Sequence, residues 1–196
     1  MIENIPKIEP SDEKFRILFE LSPLGMAMIE HKTGKFLEVN QSLLNSLNYS
    51  KEEFLSLSFY DITPNEYEEQ EKQQIKDLES TGKFGPNEKE YIKKDGTRYP
   101  IIISGFSFTD SNNKKVVWGI IEDITEKKQY EIIYNDNKNL LEYIAIENSL
   151  QKVLDKIVNL AEKRNPEIIC SILLLDETKQ HLFTGSAPSL PKFYND

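Results

Sequence analysis

The chain is poor in the residues that bind metals, form disulfides or cross bilayers. Its single cysteine, Cys170, excludes an internal disulfide, and within the run ICSILLL it reads as a small buried hydrophobe with a poorly ionised thiol. The two histidines, His31 and His181, fall in separate turn-forming stretches, with no CxxC, HExxH or His-x-His spacing, so no metal site is expected. Glycines are few and scattered, which leaves neither a phosphate-cradling loop nor a dinucleotide fingerprint, and no G-x-S-x-G elbow marks a nucleophile. Apolar runs such as residues 168–175 are far shorter than the roughly 20 residues of a membrane span. The first residues lack a positive segment followed by an apolar core, so a cytoplasmic setting is expected. No catalytic residue stands out, and the chain reads as something other than an enzyme.

What is present is an ordinary globular composition with an acidic balance. Hydrophobic residues make up 38% and charged residues 29% of the 196, which argues against wholesale disorder. The net charge of −9 repels polyanions, so nucleic acid is a poor partner. Asp61, Asp95 and Asp110 sit in turn-forming stretches and are explained by turn chemistry alone. The run Glu66, Glu68, Glu69, Glu71 reads as a solvated helix face.

Periodicity and turn signals set out an α+β module. A short helix capped by Ser11 and Asp12 runs to Leu21, with Phe15, Leu18 and Phe19 on one face. Strands at 25–30 and 36–40 follow as a hairpin. Asn40 can cap a helix over 41–47, and Ser50 with Glu53 has capping-box spacing. Residues 61–64 break the chain, 65–80 form a polar helix, and strands are expected at 88–93, 99–108 and 116–124. The strand over 116–124 enters a helix over 126–146 without a loop, and Asp123 and Glu126 have capping-box spacing, with Thr125 able to share the role. Along that helix Tyr130, Ile133, Leu140 and Ile144 recur at three- and four-residue steps, with Asn137 as a polar seam residue, a pattern for pairing with a second copy. After Ile146, Asn148 and Ser149 open a second helix with a stripe of Leu150, Val153, Leu154, Ile157, Val158 and Ala161, and a hairpin over 168–185 follows. A helix and one hairpin carry too little apolar area to close a domain, so this second module is expected to be incomplete.

Three stretches, SKEEFL, FGPNEKEYIKKDGTRYP and WGIIEDITEKK, closely resemble a bacterial PAS domain of the S-box type. The resemblance covers about residues 13–128, after an N-terminal linker at 1–12. It implies a five-stranded antiparallel sheet with flanking helices around a ligand or a packed apolar core, regulating an attached effector. Residues 126–147 then form a signalling linker helix, and 148–196, with LQKVLDKIVNLAE and CSILLLDE, resemble the N-terminal part of a GAF domain. The order implies the sensory input module of a bacterial signal-transduction protein, with a histidine kinase, diguanylate cyclase or phosphodiesterase downstream. The alternative is a ligand-free interaction and dimerisation module.

Aligned on that family, strand alternation turns Tyr91, Ile101, Ile103, Gly119 and Ile121 toward the interior and Trp118 and Ile120 outward, beneath the N-terminal helix. Leu43, Leu44, Leu47, Phe54 and Ile62 complete a candidate ligand pocket with one phenol. Flavin-binding light-oxygen-voltage relatives use amide side chains at positions matching Tyr91, Ile101 and Ile121, and a cysteine near Phe59, so photoreactive flavin is not expected. The helix over 65–80 has no histidine for haem. A small apolar or aromatic metabolite remains as the ligand class. Asp123, Thr125 and Glu126 are the expected signal relay, and a homodimer the expected assembly.

Overall fold

The computed structural model describes residues 13–110 and 113–191. Ser11 and Asp12, expected to cap the first helix, lie outside the described residues, as do Ser111 and Asn112 of the 110–113 turn.

The chain divides into two compact units that meet between Lys128 and Gln129. The first contains α1 (Glu13–Leu21), β1 (Gly25–Glu30), β2 (Phe36–Val39), α2 (Gln41–Leu47), α3 (Lys51–Leu55) and α4 (Phe59–Ile62). A 3-10 turn (Asn65–Tyr67) leads into α5 (Glu68–Thr81), followed by β3 (Lys83–Ile92), β4 (Arg98–Thr109) and β5 (Lys115–Asp123). The strands make one antiparallel sheet in the order β2-β1-β5-β4-β3, with the first and last strands of this unit, β1 and β5, side by side.

Local chemistry sets most boundaries. Asn40, fully buried, accepts at Oδ1 from the amides of Leu43 (3.1 Å) and Met26 (2.9 Å). Its Nδ2 donates to the carbonyls of Phe19 (3.0 Å) and Leu24 (2.9 Å), so one side chain caps α2 and ties it to β1 and α1. Ser50 and Glu53 form the expected capping box of α3. Asp61, the first residue of the break expected at 61–64, accepts from the Ser58 amide and hydroxyl, both at 2.7 Å, and stabilises the turn that becomes α4, which ends at Ile62. The polar helix is shorter than expected at its start, because residues 65–67 wind as 3-10 before α5 begins. β3 starts earlier than expected, at Lys83, through an irregularity between Phe84 and Asn87 that a regular alternation pattern hides.

The outer face of the sheet carries Trp118, whose ring stacks on Phe19 at 5.1 Å and Phe15 at 5.6 Å. Leu18, expected on the same packed face, is 72% exposed, because a nine-residue helix turns only two of its rows toward the sheet.

The second unit contains most of α6 (Thr125–Ile146), α7 (Leu150–Arg164), β6 (Ile172–Leu175) and β7 (Leu182–Ser186). Val158 is its most buried side chain at 1% exposure. The hairpin is fastened to α7 by Ser186 Oγ donating to Asp155 (2.6 Å) and Gln151 donating to the Gly185 carbonyl (2.8 Å). Cys170 lies before the strand and is only part-buried, correcting the expectation of a buried strand position. Its amide is taken by Glu162 at 3.0 Å, which keeps residues 168–170 off the ladder and leaves Ile168 and Ile169 exposed. Among the described residues no helix is long and apolar enough to cross a membrane.

Candidate functional site

A row of small residues crosses the middle of the sheet: Ala27 on β1 pairs with Gly119 on β5, which pairs with Gly105 on β4. Without side chains of normal length at these positions, the inner face is recessed. The ring of Phe84 covers Gly105, but nothing of comparable size stands over Ala27 and Gly119. Helices α4 and α5 roof this recess over a partly open cavity of about 70 Å³. Its apolar walls include Ile29, Phe36, Phe59, Leu78, Ile103 and Ile121.

Part of the α5 wall is polar. Lys89, on β3, donates to Glu71 Oε1 of α5 at 2.8 Å, with the two side chains only 2% and 7% exposed. Beside them Gln74 donates to Asn87 at 3.2 Å. The Lys89 ammonium also lies 5.0 Å from the centre of the Tyr91 ring and 6.0 Å from that of Phe59. Burial holds the Lys89 amine below its usual range, against the pull of Glu71. Burial, reinforced by the charge of Glu71, pushes the Tyr91 phenol up. At the rim His31 is lowered, first by partial burial and then by Lys115, with Glu79 opposing. Such a buried pair gives little net stability, since desolvating both charges offsets most of their attraction, yet removing one partner strands the other.

At the far end of β5 the sheet passes into α6 through a single residue. The Ile124 amide donates to the Pro100 carbonyl of β4 at 3.1 Å, and the Ile124 carbonyl accepts from the Lys128 amide at 2.9 Å. Ile124 is 2% exposed. Asp123 is still in the β4–β5 ladder, opposite Ile101, and its Oδ1 accepts from the Thr125 amide at 2.8 Å. The expected Asp123–Glu126 capping box is thereby corrected: helix entry lies one residue later than that spacing requires, and Asp123 acts through an Asx turn. Lys127 and Lys128 place their ammoniums 3.3 and 2.6 Å from the Glu88 carboxylate of β3, a second tie between the sheet and the first helical turn.

A family model described as a PAS domain matches residues 23–126, just over half of the chain. The chain belongs to the PAS domain family. It is 31% identical over 156 residues to the methyl sulfide methyltransferase-associated sensor of Methanosarcina acetivorans, covering 78% of this chain and 16% of that protein. To the probable diguanylate cyclase DgcE of Escherichia coli it is 32% identical over 145 residues, covering 72% of this chain and 13% of that protein. The chain thus spans less than a fifth of the length of these relatives. A solved PAS domain from Colwellia psychrerythraea superposes with a TM-score of 0.52 at 20% identity, covering 58% of this chain and 96% of that one, a likeness of fold.

Within the PAS core the candidate pocket residues separate into two groups. Tyr91, Ile103, Gly119 and Ile121 line the cavity. Leu43, Leu44, Leu47, Phe54, Ile62 and Ile101 lie in the packed core beside it, each no more than 4% exposed. The cavity is also more polar than the expected apolar interior with one phenol. Glu71 is buried rather than on a solvated face, and Lys89, which is not among the expected pocket residues, lines the cavity. Both carried a signal: Lys89 has the inward parity of Tyr91, and Glu71, Gln74 and Leu78 share one helix face.

The expected seam of α6 is unevenly exposed. Tyr130 is 70% exposed, Ile133 42% and Ile144 41%, with Leu140 half-buried. Asn137, expected to set register with a second chain, instead accepts from Arg164 of α7 at 3.2 Å. The same guanidinium reaches Asp136 at 3.3 Å and the Ile133 carbonyl at 3.4 Å, because α7 presents a cation where the pattern leaves polar groups together.

Proposed function

We propose that this chain is a sensory input segment of a bacterial signal-transduction protein, in which a small molecule in the PAS cavity biases the β5–α6 junction and thereby an effector of the histidine kinase, diguanylate cyclase or phosphodiesterase type. The observation that carries the reading is Ile124, whose amide belongs to the sheet and whose carbonyl belongs to the helix. Displacement of β5 is then felt by the first turn of α6 with no loop to absorb it. The names of the two relatives, a sensor and a probable diguanylate cyclase, support this setting.

The second unit is read as the opening of a GAF domain, supported by its helix-then-hairpin order and the LQKVLDKIVNLAE and CSILLLDE stretches. Pairing of two chains along α6 is supported by Tyr130, Tyr134 and Leu141, exposed by 70%, 70% and 67% and spaced for one helix face. The setting is read as cytoplasmic and the chain itself as non-catalytic. A ligand smaller than haem or flavin is favoured by volume: the cavity is about half the size of an engineered apolar cavity of ~150 Å³ that accepts benzene.

The same small volume favours, as a second reading, a ligand-free interaction module. Native mass spectrometry of the gently purified chain separates the two. A bound small molecule that is lost in Gly119→Val, where a side chain would enter the cavity, is expected. Protein of bare mass that also shows no binding in a metabolite screen would leave the interaction module standing.

A further inference from the structure

Resting on the reading of the PAS cavity as a ligand site, we propose that it selects a neutral, hydroxyl-bearing molecule held between Lys89 and Glu71. Charge fixes neutrality. Glu71 and Lys89 already compensate each other at 2.8 Å in a buried setting, and no further charged residue except the rim His31 faces the cavity among the described residues. An anionic or cationic ligand would therefore leave one uncompensated charge out of water, which is strongly unfavourable.

Hydrogen-bond valence fixes the hydroxyl. The Lys89 ammonium has three N–H donors, and among the described residues its hydrogen-bonding partner is Glu71 alone, through one oxygen. The rings of Phe59 and Tyr91, centred 6.0 and 5.0 Å from it, accept only weakly. A ligand hydroxyl can accept from that ammonium and donate to the carboxylate in the same site, which neither a carbonyl nor an ether can do. The remaining walls, Ala27, Ile29, Phe36 and Gly119 among them, suit a short hydrocarbon portion. The volume of about 70 Å³, about half that of a cavity of ~150 Å³ that holds the six carbons of benzene, limits the whole molecule to about three or four non-hydrogen atoms.

Heteronuclear NMR titration of the whole chain tests this, following the amides of Lys89 and Gly119 against four probes of similar size: 1-propanol, acetone, propionate and propylammonium. Saturable shifts with 1-propanol, at least tenfold tighter than with any of the other three, are expected. The double variant Glu71→Gln/Lys89→Met removes both charges together and so leaves none stranded; it is expected to keep the fold and lose at least tenfold in 1-propanol affinity, while still admitting xenon as an apolar probe. Tighter binding of propionate, propylammonium or acetone, or unchanged 1-propanol affinity in the double variant, overturns the proposal and leaves the sensory reading in place. Exclusion of all four probes and of xenon from the wild-type chain overturns both.

Discussion

At the scale of single residues, the interior of this PAS domain depends on a few polar groups placed where solvent does not reach. Tyr91 and Lys89 make the pH dependence of stability two-sided. The folded state holds the Tyr91 phenol protonated above its unfolded pKa of about 10, so its contribution is present below pH 10 and lost as pH rises beyond that. Lys89 runs the opposite way: its folded pKa is depressed, the unfolded chain binds the extra proton between that value and about 10.4, and stability rises with pH across that window. Urea midpoints from pH 8 to 11 are expected to rise and then fall. Tyr91→Phe should flatten the fall, with Tyr99 and Tyr67, also raised by burial, contributing to what remains. Glu71→Gln/Lys89→Met should flatten the rise, and an unaltered profile in both variants would contradict this assignment. These groups show what the sequence concealed. Alternation placed Tyr91 correctly inside, and Lys89, two residues earlier, had the same parity; only the buried partner on α5, far along the chain, makes a lysine acceptable there.

At the scale of elements, local signals were legible where one residue does the work and obscure where a long-range bond competes. The caps of α2 and α3 are written in Asn40, Ser50 and Glu53, and both formed as their spacing requires. The Asp123 to Glu126 spacing was equally regular and misleading, because the Pro100 carbonyl keeps the strand ladder going through Ile124. The start of β3 was hidden for a similar reason: the irregularity near Phe84 breaks the two-residue period. Asp123→Ala removes the Asx turn and should destabilise the junction by about 1 kcal/mol. Hydrogen exchange should quicken at the amides of Thr125 to Lys128 and stay unchanged in α2; uniform slowing or no change at the junction would argue against this role.

At the scale of the whole molecule, two units share one continuous helix. The 22 residues of α6 extend about 33 Å at 1.5 Å per residue, enough to carry a change at β5 well beyond the sheet. The heptad-like pattern makes the helix legible but does not show which positions a neighbouring helix takes, and Asn137, a seam residue by pattern, accepts from Arg164 of α7. If α6 pairs between chains, its exposed face should mediate the contact. Tyr130→Glu/Tyr134→Glu is expected to raise the dimer dissociation constant at least tenfold in sedimentation velocity while leaving the thermal midpoint of the PAS unit in place. A monomer in the unsubstituted chain would rule this assembly out.

In the proposed mechanism the state of the cavity is felt at the head of α6. Native-state hydrogen exchange at the Lys128 amide, which bonds the Ile124 carbonyl, measures this most directly when the wild-type chain is compared with Gly119→Val, whose side chain fills the cavity from the strand that leads into the helix. A severalfold change in the protection of Lys128, with Val158 of the second unit unaffected, is the expected result. Identical protection at Lys128 in a Gly119→Val protein shown to be folded and closed to xenon would contradict it.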